Sequence, residues 1–204
     1  MATADLSINP RILQSAKEEF LKLGFQDASL KAICEKADVT TGALYKRYKG
    51  KDDLFSALVE GCLNDLKAAV EEKKSVNIKA LSDEALINTW YMDENYMLWW
   101  FDYLFQRHDE VILLLNCSEG STYSNFQHDW VEVLNESTYW YYKEAYERNL
   151  TKQEISPKEM HILITAFWST IFEPFIHNFS WVEIELHCKL VCRLFDWQKA
   201  IGFY

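Results

Sequence analysis

Glycine and proline are scarce in this sequence, with 6 and 3 occurrences among 204 residues. All-β folds need many tight turns, and these two residue types supply the backbone angles that such turns require. The shortage argues against an all-β fold and against collagen-like or low-complexity disordered chains. We expect instead an all-α protein whose length allows one or two domains with sizeable cores.

Long apolar runs are also lacking. The two most apolar stretches, YMLWWFDYLF and EVILLLNC, are interrupted by charge well before the length of about 20 residues that a membrane helix needs. The N-terminus has no basic start followed by an apolar run, so we expect no secretory signal. The five cysteines have no tight framework spacing, which is typical of reduced thiols. We therefore predict a cytoplasmic protein with no membrane partner.

Aromatic and charged residues divide the chain into two segments. All eight tryptophans stand at or after Trp90, and only five aromatic residues precede it. The net charge is −10, yet residues 1–53 carry nine basic and eight acidic side chains. Between Thr40 and Lys51 all four charged side chains are basic. This local patch outweighs the overall charge because salt screens charges beyond about 8 Å, and the asymmetry predicts separate functions for the two segments.

Helix caps and apolar periodicity predict four helices in the first segment. They start at Asn9-Pro10, Ser29, Thr40 and Lys51 and end at Gly24, about Lys36, about Tyr48 and about Lys74. The joint between the second and third helices, residues 37–39, is short. Two short helices with such a joint, flanked by a preceding helix and a long following one, describe a helix-turn-helix.

The second segment is predicted to be helical throughout. Helices are expected over residues 82–107, 110–116, 121–150, 157–178 and 181–199. Ser82 is a candidate cap for the first of these, and Ser156 and Ser180 each begin a capping box, with glutamate three residues later. Neither strand alternation nor a repeat of solenoid length is visible.

The third helix of the first segment has the composition of a DNA-reading helix. Its first turn presents Thr40, Thr41, Gly42 and Ala43, small residues that allow close approach to base edges and phosphates. Tyr45, Lys46, Tyr48 and Lys51 add hydroxyl and ammonium donors, which position a protein on the DNA backbone. In the alternative interpretation, the two tyrosines belong to the core and the basic residues form a solvated face.

The stretch ASLKAICEKADVTTGALYKRYKGKDDLF resembles the N-terminal signature of TetR/AcrR-type transcriptional regulators. The similarity covers about residues 8–60, and several spaced positions match together. The matching residues are Ile12, Ala16, Phe20, Gly24, Phe25, Ser29, Ile33, Ala37, Val39, Thr40, Gly42, Leu44, Tyr45, Lys51 and Leu54. Two positions depart from the family: Asp38 replaces the usual glycine of the turn, and Tyr48 replaces the usual phenylalanine. Because aspartate tolerates a left-handed backbone, we expect the turn to be kept.

The resemblance implies a DNA-binding domain over residues 1–53, which includes the start of the connecting helix 51–74, and an all-helical effector-binding and dimerisation domain over residues 54–204. It implies DNA contacts by Ser29, Thr40, Thr41, Gly42, Tyr45, Lys46, Tyr48 and Lys51. It also implies a homodimer formed by the last two long helices, with Phe167, Ile171, Leu190, Leu194 and Phe195 as candidate interface positions. The implied function is that of a repressor released from double-stranded operator DNA by a small molecule.

Aromatic side chains on three predicted helices are candidates for lining the effector cavity. The candidate ligand-binding residues are Trp99, Trp100, Asp102, Tyr103, Trp130, Tyr141, Trp168 and Glu173, with His128 as a further polar candidate. Aromatic walls with few polar groups suit an apolar or cationic ligand of drug size. The alternative is that these rings simply fill a large core.

Residues for catalysis or metal binding form no complete set. His187, Cys188 and Cys192 place soft ligands about one turn apart, but a zinc site needs three or four ligands and no further residue clearly completes this one. The five histidines are scattered, and a glycine-rich phosphate loop is missing. We therefore predict no catalytic residue, metal or cofactor. The competing interpretation is a helical enzyme or small-molecule carrier whose N-terminal helix-turn-helix is structural only.

Overall fold

The computed structural model describes residues 8–203, and over this range the protein is all-helical, as predicted. The α-helices in chain order are α1 (Ile8–Asp27), α2 (Leu30–Lys36), α3 (Thr41–Tyr45), α4 (Lys51–Ser75), α5 (Asp83–Asn88), α6 (Glu94–Phe105), α7 (His108–Asn116), α8 (Phe126–Glu147), α9 (Pro157–Ile176), α10 (Trp181–Leu194) and α11 (Trp197–Ile201). A single 3-10 turn, Ile78–Ala80, follows α4. Within residues 8–203, the β pairing is limited to one isolated bridge between Thr151 and Phe203.

Side-chain caps start several helices where the sequence predicts them. The hydroxyl groups of Ser29, Thr40, Ser82, Ser156 and Ser180 each accept a hydrogen bond from the backbone amide three residues later. Ser156 and Ser180 form complete capping boxes, because the glutamate of each box also accepts from the cap's own amide. Such a cap satisfies an amide that the helix itself leaves unpaired.

Several predicted helix bounds are wrong, including the start of α8, which is Phe126 and not residue 121, and the end of α3, which is Tyr45 and not Tyr48. α1 begins at Ile8, so Asn9 lies inside its first turn and not at its cap. The helix predicted over residues 82–107 is divided into α5 and α6, because Asp93 leaves helical geometry and caps a new helix. The last predicted helix is divided in the same way, and Asp196 caps the short α11. An aspartate side chain that accepts a hydrogen bond from a backbone amide can end one helix and start the next. The apolar period of the sequence continues across such a break and does not reveal it.

The described residues pack into two compact units. Of the described residues, the first unit holds Ile8–Asp65 together with Arg107–Phe126, and the second holds Leu66–Gln106 and Gln127–Phe203. The division falls inside α4 and not at residue 53, and α7 packs with the first unit although the sequence places it among the later helices. The division of function between residues 1–53 and 54–204 remains a prediction. None of the described helices combines the length and apolar character needed to cross a membrane.

The core of the first unit is built on three phenylalanine rings. Phe55 of α4 lies 5.1 Å from Phe20 and 5.5 Å from Phe25, centroid to centroid, with both pairs edge to face. This arrangement suits the quadrupole of aromatic rings. The hydroxyl of Ser15 donates to the carbonyl of Ile33 at 2.9 Å and ties α1 to α2 without leaving a buried polar group unpaired.

The segment around α7 belongs to the first unit and packs against α1. The amide of Phe25 donates to the carbonyl of Cys117 at 2.8 Å, and the ammonium of Lys17 lies 2.6 Å from the carboxylate of Asp109. Gly120 has φ +82°, and a Cβ at this position would stand 2.6 Å from the side chain of Gln26. The backbone angle therefore favours glycine there, and any other residue would also displace the exposed side chain of Gln26.

The core of the second unit is aromatic. Trp168 of α9 lies 5.3 Å from Trp100 of α6 and 5.3 Å from Trp130 of α8, both edge to face. Phe101 and Phe175 stack at 6.0 Å. Because aromatic side chains bury large apolar areas, these contacts hold α6, α8 and α9 together.

Candidate nucleic-acid interface and ligand cavity

The turn between α2 and α3 has the tight geometry of a helix-turn-helix joint. Asp38 adopts a left-handed backbone with φ +53°, and the amide of Val39 donates to the carbonyl of Cys34 at 3.0 Å. Aspartate reaches this backbone region more readily than most residues do. The prediction that Asp38 keeps the turn is confirmed.

α3 has one buried anchor and an open outer face. Leu44 is fully buried, and it fixes the helix on the core of the first unit. The exposed residues of α3 and its flanks are Thr40, Thr41, Gly42, Tyr45 and Lys46. Tyr45 leaves 56% of its surface exposed, so its ring lies outside the core. The interpretation of Tyr45 as a core residue is therefore wrong.

Arg47 and Tyr48 are less exposed than Tyr45 and make more contacts within the chain. Tyr48 is half-buried, and this burial raises the pKa of its phenol. The guanidinium of Arg47 donates to the side chain of Asn9 at 2.5 Å and to the carbonyl of Ala43 at 3.0 Å. Arg47 thus joins α3 to the start of α1, a contact that sequence spacing does not reveal.

Lys51 has partners within the chain. Its ammonium donates to the carbonyl of Gln26 at 2.8 Å and to that of Ala28 at 3.2 Å, and it lies 4.6 Å from the centroid of the Phe25 ring. An ammonium has three N–H donors, so two of them already stabilise the end of α1. The expected phosphate contact of Lys51 has only the remaining donor available in this conformation.

Uncompensated positive charge lies beyond α3. Among the described residues, no carboxylate lies within ion-pair distance of the ammonium groups of Lys46 and Lys49. Ser29, another predicted contact, is exposed at the start of α2, where its hydroxyl accepts from the amide of Ala32. Exposed cations beside small polar residues are suited to phosphate oxygens.

A cavity of about 430 Å³ lies within the second unit. Its lining includes Trp100, Tyr141 and Trp168 of the predicted ligand residues, together with Trp90, Tyr91, Tyr96, Phe167 and Trp197. Lys73 is the charged residue of the described lining, and its ammonium lies 3.1 Å from the hydroxyl of Tyr96. A volume of this size is typical of small-molecule sites, which are about 300–1,000 Å³.

The other predicted ligand residues do not line this cavity. Trp99 is 52% exposed, and Tyr103 stacks on it at 5.7 Å. Trp130 is buried, and its ring lies 5.3 Å from that of Trp168, centroid to centroid. Asp102 is exposed and accepts a hydrogen bond from Gln106, and Glu173 is exposed beside His177. His128, the further polar candidate, is exposed on α8. Ligand binding by these residues stays a prediction, because helical periodicity does not show which face of each helix meets α9.

Two of the five candidate interface residues belong to the chain's own core. Phe167 is 6% exposed and Ile171 is 0% exposed, so neither has surface to offer a partner. Leu190 and Leu194 are 63% and 74% exposed, and Phe195 is half-buried against Phe167. The interface prediction is corrected for Phe167 and Ile171 and stays a prediction for the leucines.

Sequence reasoning missed three exposed apolar residues on the last two long helices: Ile162, Val182 and Leu186. Val182 and Leu186 continue the spacing of Leu190 and Leu194, so α10 carries an exposed apolar stripe at every fourth residue. The buried residues Ile184, Cys188 and Val191 occupy another face of the same helix. The sequence of α10 could have indicated this exposed stripe, because its apolar residues fall on two faces of the helix and only one of them is buried.

The thiols of the second unit are not arranged for metal binding with His187. In the part of the chain that the structure describes, His187, Cys188 and Cys192 do not converge as a ligand set. The ring of His187 instead has its Nε2 2.7 Å from the carbonyl of Thr170. Burial raises the pKa of the Cys188 thiol to about 12, which keeps it protonated.

An all-α chain with this turn, this exposed short helix and a separate aromatic unit is a helix-turn-helix protein. Residues 12–58 match the family described as bacterial regulatory proteins, tetR family. The regulator UidR of Escherichia coli K12, an HTH-type transcriptional regulator, is 37% identical over 59 residues, which are 29% of this chain and 30% of UidR. The chain thus matches about three tenths of the length of its curated relatives.

Solved structures extend the likeness beyond the N-terminal segment. A Clostridium perfringens putative fatty acid metabolism regulator has a TM-score of 0.61 at 14% identity and covers 89% of this chain and 94% of its own. NalD, the secondary repressor of the MexAB-OprM efflux pump in Pseudomonas aeruginosa, has a TM-score of 0.59 at 18% identity, with 92% and 94% covered. Residues 12–58 are thus similar in sequence to the tetR family, and most of the chain is similar in fold to these solved structures.

A third structure was solved with a ligand. FadR of Bacillus subtilis, in complex with stearoyl-CoA, has a TM-score of 0.55 at 14% identity and covers 91% of this chain and 96% of its own. At this identity the likeness concerns the fold alone, and the chemistry of the cavity must be read from this chain's own residues.

Proposed function

We propose that this protein is a homodimeric, sequence-specific DNA-binding transcriptional regulator that acts as a cytoplasmic repressor. The observation that carries the proposal is the exposed outer face of α3, where Thr41, Gly42, Tyr45 and Lys46 surround a helix start anchored by the buried Leu44. An anchored helix with a small, polar outer face can enter the major groove without disturbing the core behind it.

The residues of this face have separate roles in the proposed complex. Gly42 and Thr41 allow close approach to base edges, and Tyr45 and Lys46 reach the phosphates. Lys51 acts mainly through the end of α1, because two of its donors are bound to carbonyls there. Base contacts carry the sequence preference, whereas phosphate contacts supply affinity and its dependence on salt.

A dimer follows from the need to read two half-sites. Paired recognition helices require half-sites about 34–36 Å apart, or a multiple of this spacing. The apolar stripe of α10, formed by Val182, Leu186, Leu190 and Leu194, is the surface best suited to a second copy of the chain. A stripe that repeats every four residues packs well against the same stripe related by two-fold symmetry.

The cavity of the second unit is the proposed effector site. Its aromatic walls favour an apolar ligand body. The sequence-based expectation also admits a cationic ligand, but the ammonium of Lys73 in the lining opposes one. The same ammonium attracts an acidic or strongly polar group, so we favour an apolar compound with such a group at one end.

Effector and DNA binding are proposed to be coupled through α4. This helix begins at Lys51, five residues after Lys46, and its residue Lys73 lines the cavity. An effector that prefers one conformation of α4 shifts the population toward it. A coupling of about 1–3 kcal/mol changes operator affinity by about 5–150-fold.

The experiment is fluorescence anisotropy of the purified chain with DNA from upstream of its own gene, at several salt concentrations and with excess unrelated DNA. Saturable binding that survives the competitor supports the proposal. Tyr45→Ala is expected to weaken specific binding, and Tyr146→Ala, which also removes an exposed tyrosine, serves as the control. If neither this DNA nor a random-sequence selection yields a specific site, the helix-turn-helix is structural only.

A further inference from the structure

Two histidines and a glutamate converge on one side of the second unit. His128 and Glu132 stand one turn apart on α8, and His161 lies near the start of α9. One possible ligand atom from each residue lies within 4.8 Å of the other two. Nδ1 of His161 is 3.1 Å from Oε1 of Glu132, and the two imidazole rings are 5.7 Å apart, centroid to centroid.

The buried nitrogen of this group lacks an ordinary hydrogen bond. Nδ1 of His161 is buried from solvent, and the described residues give it no partner in hydrogen-bond geometry, although the Glu132 carboxylate is close. A buried nitrogen that lacks a hydrogen bond and faces a carboxylate has a lone pair available to an ion. A metal ion accepts the nitrogen lone pair and the carboxylate charge together.

We propose that His128, Glu132 and His161 bind a divalent transition-metal ion of the zinc class, and that this ion links α8 to α9. Two imidazoles and a carboxylate are a ligand set used for zinc with a fourth position left open. Two nitrogen ligands favour Zn²⁺, Co²⁺ or Ni²⁺ over the harder Mg²⁺ and Ca²⁺, which take oxygen.

The observed spacing is within reach of a bound geometry. With bonds of about 2.0–2.2 Å, the ligand atoms of a tetrahedral ion lie about 3.4 Å apart, so a pair at the 4.8 Å limit must close by about 1.4 Å. His128 and Glu132 are exposed, and their side chains are free to make this movement. The i, i+4 spacing already places both on one face of α8.

An ion bound between α8 and α9 would affect the shape of the cavity, because both helices contribute residues to its lining. α8 supplies Leu134 and Ser137 to the lining, and α9 supplies Ile164 and Trp168. A bond between the two helices restricts their separation and therefore the shape of the space between them. The metal site does not depend on the proposed DNA binding and can be tested apart from it.

The test uses the full chain after treatment with a chelator and removal of the chelator. Zn²⁺ is titrated by calorimetry, and Co²⁺ binding is followed by its visible absorption, which reports the coordination geometry. We expect one ion per chain and at least about tenfold weaker binding in His128→Gln and in His161→Gln, because each removes one of three protein ligands. Bound ion should also raise the midpoint of thermal unfolding.

His177→Gln is the matched control. Nε2 of His177 lies 3.2 Å from Glu173 one turn before it, so this pair repeats the histidine and carboxylate of the site without a third ligand. Binding by the control should equal that of the wild type. The proposal is overturned by the absence of saturable binding in the wild type, or by unchanged binding in either site variant. Because His128 is exposed, its variant is expected to fold and remains informative if His161→Gln does not.

Discussion

The two units of the molecule differ in how far their functional features can be recognised in the amino-acid sequence. In the first unit, the features that matter are neighbours along the chain: the cap Thr40, the turn residue Asp38 and the exposed Tyr45 lie within eight positions. In the second unit, the cavity walls come from Lys73, Trp100, Tyr141 and Trp168, which are separated by tens of residues. A site built from neighbouring residues can be recognised from a sequence pattern. A site assembled from distant residues shows in the sequence only as an enrichment in certain residue types, here aromatic ones.

The comparison also shows how each unit uses aromatic side chains. The first unit buries a small cluster around Phe55 and exposes Tyr45. The second unit uses rings both as core and as cavity wall, and Trp168 does both because it contacts Trp100 and Trp130 and also lines the cavity. The alternatives of core and pocket are therefore not exclusive for this residue.

The largest expected effect is a loss of stability in the second unit. Trp168→Ala should lower the free energy of unfolding by about 3–5 kcal/mol, because it removes a buried ring that three helices share. Trp99→Ala is the control, since its ring is 52% exposed and should cost far less. Urea unfolding followed by circular dichroism measures both. Equal losses in the two variants would contradict the placement of Trp168 in the core.

The next effect tests the first unit without unfolding it. Gly42→Glu places a negative charge on the exposed face of α3, where a Cβ meets nothing closer than 3.9 Å. Repulsion from phosphates should weaken DNA binding by about 100-fold, which corresponds to about 2.7 kcal/mol. Ala57→Glu adds the same charge at an exposed position of α4. Anisotropy should separate the two variants, and equal binding would show that α3 does not face DNA.

A similar fold-change is expected for the reactivity of the Cys62 thiol in the first unit. Burial raises the pKa of Cys62 from 9.0 to about 11, so at pH 8 the fraction of reactive thiolate falls by about 100-fold. A thiol reagent should therefore modify Cys62 about 100 times more slowly in the folded protein than in urea.

The raised pKa of Cys62 also predicts a change in the free energy of unfolding at alkaline pH. The folded protein holds the Cys62 proton more tightly, so the contribution of this thiol to stability is fully present below about pH 9 and is lost as the pH rises to about 11. Cys62→Ser should flatten this alkaline loss in unfolding curves measured across that range. Rapid modification of Cys62 in the folded chain at pH 8 would show that the thiol is accessible and its pKa ordinary.

The smallest effect concerns the surface on which the proposed dimer depends. Leu190→Glu should raise the dissociation constant of the dimer by about tenfold or more, because a charge enters an apolar interface. Leu190 is 63% exposed in the chain, so folding should be unaffected. Analytical ultracentrifugation measures the shift, and Val76→Glu, at an exposed position of the same unit, is the control. A dimer that tolerates Leu190→Glu would locate the interface elsewhere.

Much of the fold was predictable because helix starts are local events. Ser29, Thr40, Ser156 and Ser180 cap helices at the expected positions, since each hydroxyl needs only an amide three residues away. The break at Asp93 was missed because a cap within an apolar stretch does not alter the helical period. The predicted interface failed at Phe167 and Ile171 because periodicity identifies an apolar face without saying what covers it.

By itself, the sequence determined the all-α class, the helix-turn-helix and the resemblance of residues 8–60 to a known family, because these depend on spacings of a few residues. Only the tertiary structure decided that α7 packs with the first unit, that a cavity of about 430 Å³ lies among the aromatic rings, and that His161 meets His128 and Glu132. Each of these features joins residues far apart along the chain. Their meeting depends on how whole helices pack, and no short stretch of sequence encodes that packing.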